Sequence, residues 1–465
     1  MTLHDSPLPR VQPTPSAPCP SLPFRATTIL VLGLGYAAWN VLGFLEYSNT
    51  PWLTLPCAIV ALLLSAGILA CQRFDPLSPV SVLLLFAQLY FAARFSLSDG
   101  RFGGWHTFVF ICYIFFLGGI YAVLQAKLFS VRTIQKLVRR SRVRDYSRVA
   151  ATTTVVYVFY VALVLFLLHA TNDDFDPVAL VLKSLATRLA IAEQGLSPIL
   201  LLAGFFSSIG ITGAFVLAHR YRRPWLLILW VITLACTSMA LGSRGQIVIP
   251  IFQLVIAAAV CARNYMRVLM WLLPPLIGAT VIFSTWFLSI REGGDGTMDE
   301  YSIFDRFDAY HNWLDGLRSD GIQFSPGESI PNAIAQLIPR SVLPTKPYYF
   351  STEMTRRLFT EAFEMGINLD FGGNAEAVYN FFLLGPFLFG IFMGWLCRLL
   401  YRLLQACRQS ASPILSAIYA QGLLLPASFF FVGWINSQLI FVCLGYLVFS
   451  TLSLNIFSAK HLKNS

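Results

Sequence analysis

The chain has 465 residues, of which 56% are hydrophobic and only 12% are charged, with a mean hydropathy of +0.66. Soluble domains carry about 25% charged residues, so the composition excludes an ordinary soluble protein and indicates one that crosses a membrane many times. The net charge of +10 lies mainly beside apolar segments. This pattern favours the cytoplasmic membrane face over nucleic acid as the partner.

Residues 1–25 are rich in proline and contain neither the apolar stretch nor the small-residue cleavage site of a secretory signal. They predict a disordered cytoplasmic tail rather than a secretory signal. From residue 26 onward, apolar stretches recur at the length of about 20 residues that a bilayer-spanning helix needs. They predict an all-α polytopic protein with about twelve spans: 26–46, 52–71, 78–95, 106–126, 149–169, 196–218, 224–241, 246–262, 268–289, 376–400, 413–432 and 438–457.

Four basic segments set the predicted orientation: 127–144, 219–224, 262–267 and 397–408. An even number of predicted spans separates each from the others, so all four can lie in the cytoplasm as the positive-inside rule requires. Both termini, including the tail 458–465, are then cytoplasmic. None of the nine cysteines falls in an external loop, so we expect no disulfides.

The first long external segment, 170–195, lies within the membrane unit 26–289 and predicts an amphipathic helix at the interface. Asp174 and Asp176 form a D-x-D pair that could hold a metal. Helix capping explains Asp176 without one, because Pro177 follows it at the first helical position. We therefore favour capping over a metal.

The second external segment, 290–375, is too long and polar to be a simple connector. Residues 302–319 predict a helix that begins with a Ser302-x-x-Asp305 capping pattern and docks through an apolar stripe. The stripe comprises Ile303, Phe304, Phe307, Tyr310, Trp313, Leu314 and Leu317. A shorter helix is predicted over 351–366. The last unit, 376–457, then holds the final three spans.

Cationic residues are expected to meet just outside the hydrocarbon on the external side: Arg244, Arg291, Arg340 and Lys346. Guanidinium groups bind phosphate oxygens in pairs and stay charged at any relevant pH. The cluster therefore suits a lipid-linked diphosphate.

If that diphosphate is a leaving group, the same cations stabilise the charge that grows in the transition state. An acceptor hydroxyl would need a base, and Asp308, His311 or Glu376 could supply one. Each also has an ordinary alternative role: a solvated helix face for Asp308, an interfacial polar group for His311, and helix-dipole compensation for Glu376. No ligand cluster indicates a metal, and no cofactor is expected.

Three features resemble bacterial O-antigen and oligosaccharide repeat-unit polymerases of the Wzy type: "SRGQ" at the outer end of a span, "IPRSVLPTKP" followed by "GGNAEAVYNFFLLGPFLFGIFMGW", and two dominant external loops among about twelve spans. The resemblance implies a GT-C-like, metal-independent glycosyltransferase of the bacterial cell inner membrane with a periplasmic active site. Its donor and acceptor would be undecaprenyl-diphosphate-linked oligosaccharides, and a chain-length regulator and a flippase would be its partners. Arg188, Arg291 and Arg340 occupy places comparable to the family's functional loop arginines.

Two other classes stay open. An O-antigen ligase shares this architecture and depends on a histidine of the large loop, for which His311 is the candidate. A flippase or transporter predicts repeated halves and charges buried within spans. The asymmetric 290–375 loop fits transport poorly.

Overall fold

The computed structural model describes residues 51–92, 105–126, 146–171, 196–241, 245–262, 309–338, 347–364, 369–433 and 437–458, with a few single positions between them. These residues form helices and no β-strand. The helices are α1 (Pro51–Cys71), α2 (Pro79–Ala92), α3 (Trp105–Gln125), α4 (Tyr146–Thr171), α5 (Ser197–Tyr221), α6 (Trp225–Ala240), α7 (Gly245–Cys261), α8 (Ala309–Asp320), α9 (Ser329–Leu337), α10 (Phe350–Leu358), α11 (Thr360–Glu364), α12 (Gly373–Phe381), α13 (Leu384–Ser410), α14 (Pro413–Gly422), α15 (Leu425–Val432) and α16 (Ser437–Phe457).

Within the described ranges, five helical segments are long and apolar enough to cross a membrane: Thr107–Gln125, Tyr146–Thr171, Leu202–Tyr221, Leu384–Ser410 and Pro413–Phe430. Shorter apolar helices accompany them over Ile59–Cys71, Trp225–Ala240, Pro250–Cys261 and Cys443–Phe457. A helical membrane protein is therefore confirmed. The count of twelve spans stays a prediction, and the spans expected over 26–46 and 268–289 lie outside the described residues.

The predicted span 376–400 is not one helix. Helix α12 ends at Phe381, Phe382 has a φ of +50°, and α13 starts at Leu384 and continues to Ser410. The two helices meet closely at Gly385, where a Cβ atom would lie 1.9 Å from the carbonyl oxygen of Ala377. Only glycine permits this approach, so the break follows from packing that hydrophobic length alone does not reveal.

Two further predicted helices are also interrupted. The span expected over 413–432 comprises α14 and α15, which meet at a turn of Leu423 and Leu424; the backbone there stays in the right-handed helical region, so Pro413–Phe430 is still one membrane-length segment. The helix expected over 351–366 is divided into α10 and α11 at Phe359. Hydrophobic patterning located both segments, but it did not locate the turns inside them.

Helices α3 and α13 form the tightest interface of the larger core. A Cβ atom on Gly119 would lie 2.2 Å from the Phe387 carbonyl oxygen, and one on Gly390 would lie 2.1 Å from the Phe116 carbonyl oxygen. Small residues let membrane helices approach to backbone contact, where dispersion forces stabilise them. Phe116 fills the space beside this contact and packs against Phe389 with ring centroids 5.1 Å apart.

A second core joins α4, α5 and α6. Trp230 is completely buried, and its ring occupies the space where Gly210 lacks a side chain. The hydroxyls of Tyr160 and Thr237 are 2.6 Å apart. Such a bond between helices satisfies two polar groups that lipid cannot hydrate.

The connection between α1 and α2 is fastened to the end of α13. Asp75 is 1% exposed, and its carboxylate accepts hydrogen bonds from both terminal guanidinium nitrogens of Arg408. Tyr401 donates to the Gln72 carbonyl oxygen at 3.3 Å, and Tyr419 donates to the Leu77 carbonyl oxygen. The chain therefore pairs charges that are 333 residues apart.

Candidate functional site

Most residues expected at the active site lie outside the described part of the chain: Arg188, Arg244, Arg291, Asp308, Arg340 and Lys346. His311 belongs to α8, but its side chain is not described. Glu376 is therefore the one predicted catalytic residue whose side-chain burial the structure gives. The expected convergence of cations stays a prediction.

Glu376 lies on α12, inside a segment where every residue from 371 to 380 is buried. Glu376 itself is only 2% exposed. Gly372, with a φ of +85°, turns the chain into the helix, and the Glu376 amide donates to its carbonyl oxygen at 3.3 Å. A carboxylate in the first turn favours the positive helix end, whereas burial opposes its charge. Dipole compensation alone would not require burial. The burial of Glu376 therefore indicates a more specific role than the sequence suggested.

Asn380 ties α12 to α9. Its Nδ2 donates to the Ser329 hydroxyl at 2.6 Å and to the Glu376 carbonyl oxygen at 2.8 Å, while its Oδ1 accepts from the Ser329 amide at 3.1 Å. All of the side chain's polar atoms are thus engaged. This network fixes the orientation of the helix that carries Glu376.

Asn374 is also buried, with 2% exposure, and its Oδ1 accepts no hydrogen bond from the described residues. A buried acceptor without a partner costs about 1–3 kcal/mol. Gly373, one residue earlier, packs directly on Phe389 and on the Phe429 carbonyl oxygen. The start of α12 is therefore pressed into the helical bundle together with two polar side chains.

A hydrogen bond joins α12 to Glu328, the residue that precedes α9. The Tyr379 hydroxyl donates to Glu328 Oε2 at 2.8 Å. Burial raises the pKa of Tyr379, and the neighbouring Glu328 raises it further. Tyr379 therefore stays protonated, and it acts here as a hydrogen-bond donor.

An arginine pair lies on α10. Arg356 and Arg357 both contact Glu353 Oε1 at 2.7 Å, and the two arginine side chains remain 48% and 41% exposed. The hydrogen bond from Arg356 lowers the pKa of Glu353, and Arg357 lowers it further. Glu328 also acts on Arg357 electrostatically, so two carboxylates accompany the two cations.

A narrow cleft separates α8 and α10 from α12. Its free volume is about 330 Å³, including the part open to solvent. Aromatic side chains line much of it, among them Trp313, Phe350, Phe371 and Tyr379, with Gln323 as a polar contributor. Trp313, Phe350, Phe371 and Tyr379 are each less than 9% exposed, so these rings fill most of the cleft themselves.

The predicted apolar stripe is confirmed within α8, where Tyr310, Trp313, Leu314 and Leu317 are all buried. Its other members, Ile303, Phe304 and Phe307, lie outside the described residues. The helix docks on α2 and α3 of the bundle. Patterning did not single out Asn374, Asn380, Glu328 or Tyr379. Two asparagines close to a glutamate in an otherwise apolar stretch were the available signal.

Comparison with known proteins gave no identification: no family model, no curated protein and no solved structure matches this chain. The structure alone thus defines the class, a helical membrane protein with the short helices α8 and α9 packed against its bundle.

Proposed function

We propose that the protein is a glycosyltransferase that joins undecaprenyl-diphosphate-linked oligosaccharide repeat units on the outer face of a bacterial inner membrane. The observation that carries the proposal is the position of Glu376. It is a buried carboxylate on α12, and two other residues of that helix, Ala375 and Tyr379, line the aromatic cleft. A buried ionisable residue in a membrane protein is costly, which favours a functional role.

In the proposed reaction, a hydroxyl of the acceptor repeat unit attacks the anomeric carbon of the donor glycan. The bond from that carbon to the diphosphate oxygen breaks, and the bonding electrons leave with the carrier diphosphate. The hydroxyl proton passes to a carboxylate or imidazole, for which Glu376, Asp308 and His311 are the candidates.

The leaving diphosphate gains charge as the bond breaks. Arg188, Arg244, Arg291, Arg340 and Lys346 are proposed to bind it, since cations placed where charge develops lower the barrier. This step needs no metal in the proposal. Replacing Arg244, Arg291 and Arg340 singly by alanine should abolish long glycans while lipid-linked single repeats accumulate, and normal product ladders from all three variants would reject the assignment.

The test of Glu376 uses the purified full-length protein and synthetic undecaprenyl diphosphate repeat units. Glu376→Gln preserves the side chain's shape and removes its basicity, so product formation should fall by about 10²–10⁴-fold if this carboxylate is the base. The matched control is Glu364→Gln, an exposed glutamate at the end of α11. Unchanged oligomer formation by Glu376→Gln, with a normal unfolding temperature, would remove Glu376 from the mechanism.

The same assay separates the polymerase from the ligase. A polymerase yields a ladder of oligomers from repeat units alone. A ligase yields a single transfer product and only when lipid A core is supplied. A flippase or transporter yields no new glycosidic bond with either acceptor.

A further inference from the structure

The start of α4, the end of α5 and the start of α6 lie close together in the fold. Helix α4 begins at Tyr146, α5 ends at Tyr221, and α6 begins at Trp225. The Tyr146 and Tyr221 rings meet edge to face, with centroids 5.3 Å apart and an interplanar angle of 68°. Aromatic residues of this kind concentrate where membrane meets water.

Arg222 and Arg223 form the turn between α5 and α6. Arg222 has a left-handed conformation with φ of +53°, and its amide donates to the Leu217 carbonyl oxygen. The Arg223 amide donates to the same oxygen at 3.2 Å. The amides of this turn are thus hydrogen-bonded to the end of α5, and both arginine side chains are exposed.

Arg148 of α4 and Arg220 of α5 are also exposed. Together with Arg222 and Arg223 they form what we call the basic patch. Among the described residues, none of the four has a carboxylate within salt-bridge distance. Arg148 is more than 70 residues from the others in sequence, and the contact between the Tyr146 and Tyr221 rings places its helix end beside theirs.

An apolar surface continues from the basic patch along the same helices. On α6, Trp225, Ile228 and Ile232 are 55%, 56% and 56% exposed, and their spacing places them on one helix face. On α4, Val158 and Phe159 are 59% and 57% exposed. Helices α4 and α6 are neighbours, linked by the hydroxyl contact of 2.7 Å between Tyr157 and Thr233 and by that between Tyr160 and Thr237.

We propose that the basic patch is a binding site for the headgroup of an anionic phospholipid, whose acyl chains cover the apolar surface beside it. Guanidinium groups match phosphate oxygens in charge and geometry. The adjoining apolar faces favour a lipid over a free anion, because a lipid supplies hydrocarbon for them as well as phosphate for the arginines. The positive-inside rule puts this site at the inner leaflet.

The test is a native mass spectrometry titration of the full-length protein with phosphatidylglycerol, and with phosphatidylcholine as the zwitterionic reference. The variant to compare is the double substitution Arg222→Asn and Arg223→Gln, because asparagine at position 222 tolerates the left-handed conformation there. Each arginine near a membrane contributes about 1 kcal/mol toward anionic lipid, so the preference for phosphatidylglycerol should fall about fivefold per arginine removed. Added salt should weaken the wild-type preference.

Arg148→Gln tests the same site from α4, away from the turn, and should reduce the preference even if the double variant proves unstable. The control is the double variant Arg356→Gln and Arg357→Gln, which removes two exposed arginines elsewhere and should leave the preference unchanged. An unaltered preference in Arg148→Gln, or an equal loss of both lipids in the variants, would overturn the proposal. Displacement of phosphatidylglycerol by inorganic phosphate at matched ionic strength would also overturn it in favour of a free-anion site.

Discussion

Two adjacent glycines on α3 provide a sharp test of the packing between α3 and α13. A Cβ atom on Gly119 would lie 2.2 Å from the Phe387 carbonyl oxygen and 2.8 Å from the Ile391 amide nitrogen. Even weak C–H to oxygen contacts have carbon–oxygen distances of about 3.3–3.6 Å. Gly119→Ala must therefore separate the two helices by about 1 Å, because the obstructing atoms are backbone and cannot rotate away.

Overpacking of this kind costs about 1–3 kcal/mol, and a rigid obstacle favours the upper end of that range. Gly118 is the matched control, since no atom of a neighbouring helix lies within 4 Å of the place that its Cβ atom would take. Gly118→Ala should leave stability unchanged or increase it by up to about 1 kcal/mol through helix propensity. The same chemical change at neighbouring positions should thus have opposite effects.

Thermal unfolding in detergent, followed by a thiol-reactive dye, measures this difference. Cys112 on α3 and Cys397 on α13 are completely buried, so in a background whose other cysteines are replaced by serine the dye reports the opening of this interface. Gly119→Ala should unfold at a clearly lower temperature than the wild type, and Gly118→Ala should not. Equal unfolding temperatures for the two variants would refute the close approach of α3 and α13.

Two further predictions concern charged groups. Arg408→Met leaves the buried Asp75 carboxylate without its main partner and should lower the free energy of unfolding by about 3–5 kcal/mol. Adding Asp75→Asn should recover part of the lost unfolding temperature, and an Arg408→Met variant as stable as the wild type would contradict the role of the pair. Glu353 has a lowered pKa because Arg356 donates to it, so its contribution is complete above its ordinary pKa and is lost as the pH falls through the lower folded value. The stability difference between wild type and Glu353→Gln, limited to about 1 kcal/mol by solvent screening, should therefore vanish in acid, and a difference that grows in acid would have the wrong sign.

Hydrophobic length alone predicted the helical membrane class and many helix positions. The span expected over 224–241 is a helix from Trp225 to Ala240, and the one over 438–457 runs from Ser437 to Phe457. Backbone groups in lipid have no water to bond, so an apolar stretch of this length is restricted to helix whatever its neighbours are. For this property, local composition is sufficient.

The candidate site depended on contacts that local composition does not contain. The sequence put Glu376 near the start of a span, but the break at Phe382 goes with the close contact between Gly385 and the Ala377 backbone, and the burial of α12 comes from its packing on α3, α13 and α15. Asn380 is buried against Ser329 of α9, and Gly373, next to Asn374, packs on Phe389 of α13. Sequence periodicity reports which face of a helix is apolar, and it carries no information about which helix will cover that face.

The pairing of Asp75 with Arg408 and the gathering of the basic patch have the same origin. From the sequence alone, each of these charged residues is predicted to be an ordinary interfacial charge, since snorkelling lets a lone charge near a helix end reach water. Only the tertiary structure decides whether such a charge meets a counter-ion or remains open to a ligand, because that choice depends on the relative placement of helices that are distant in the chain.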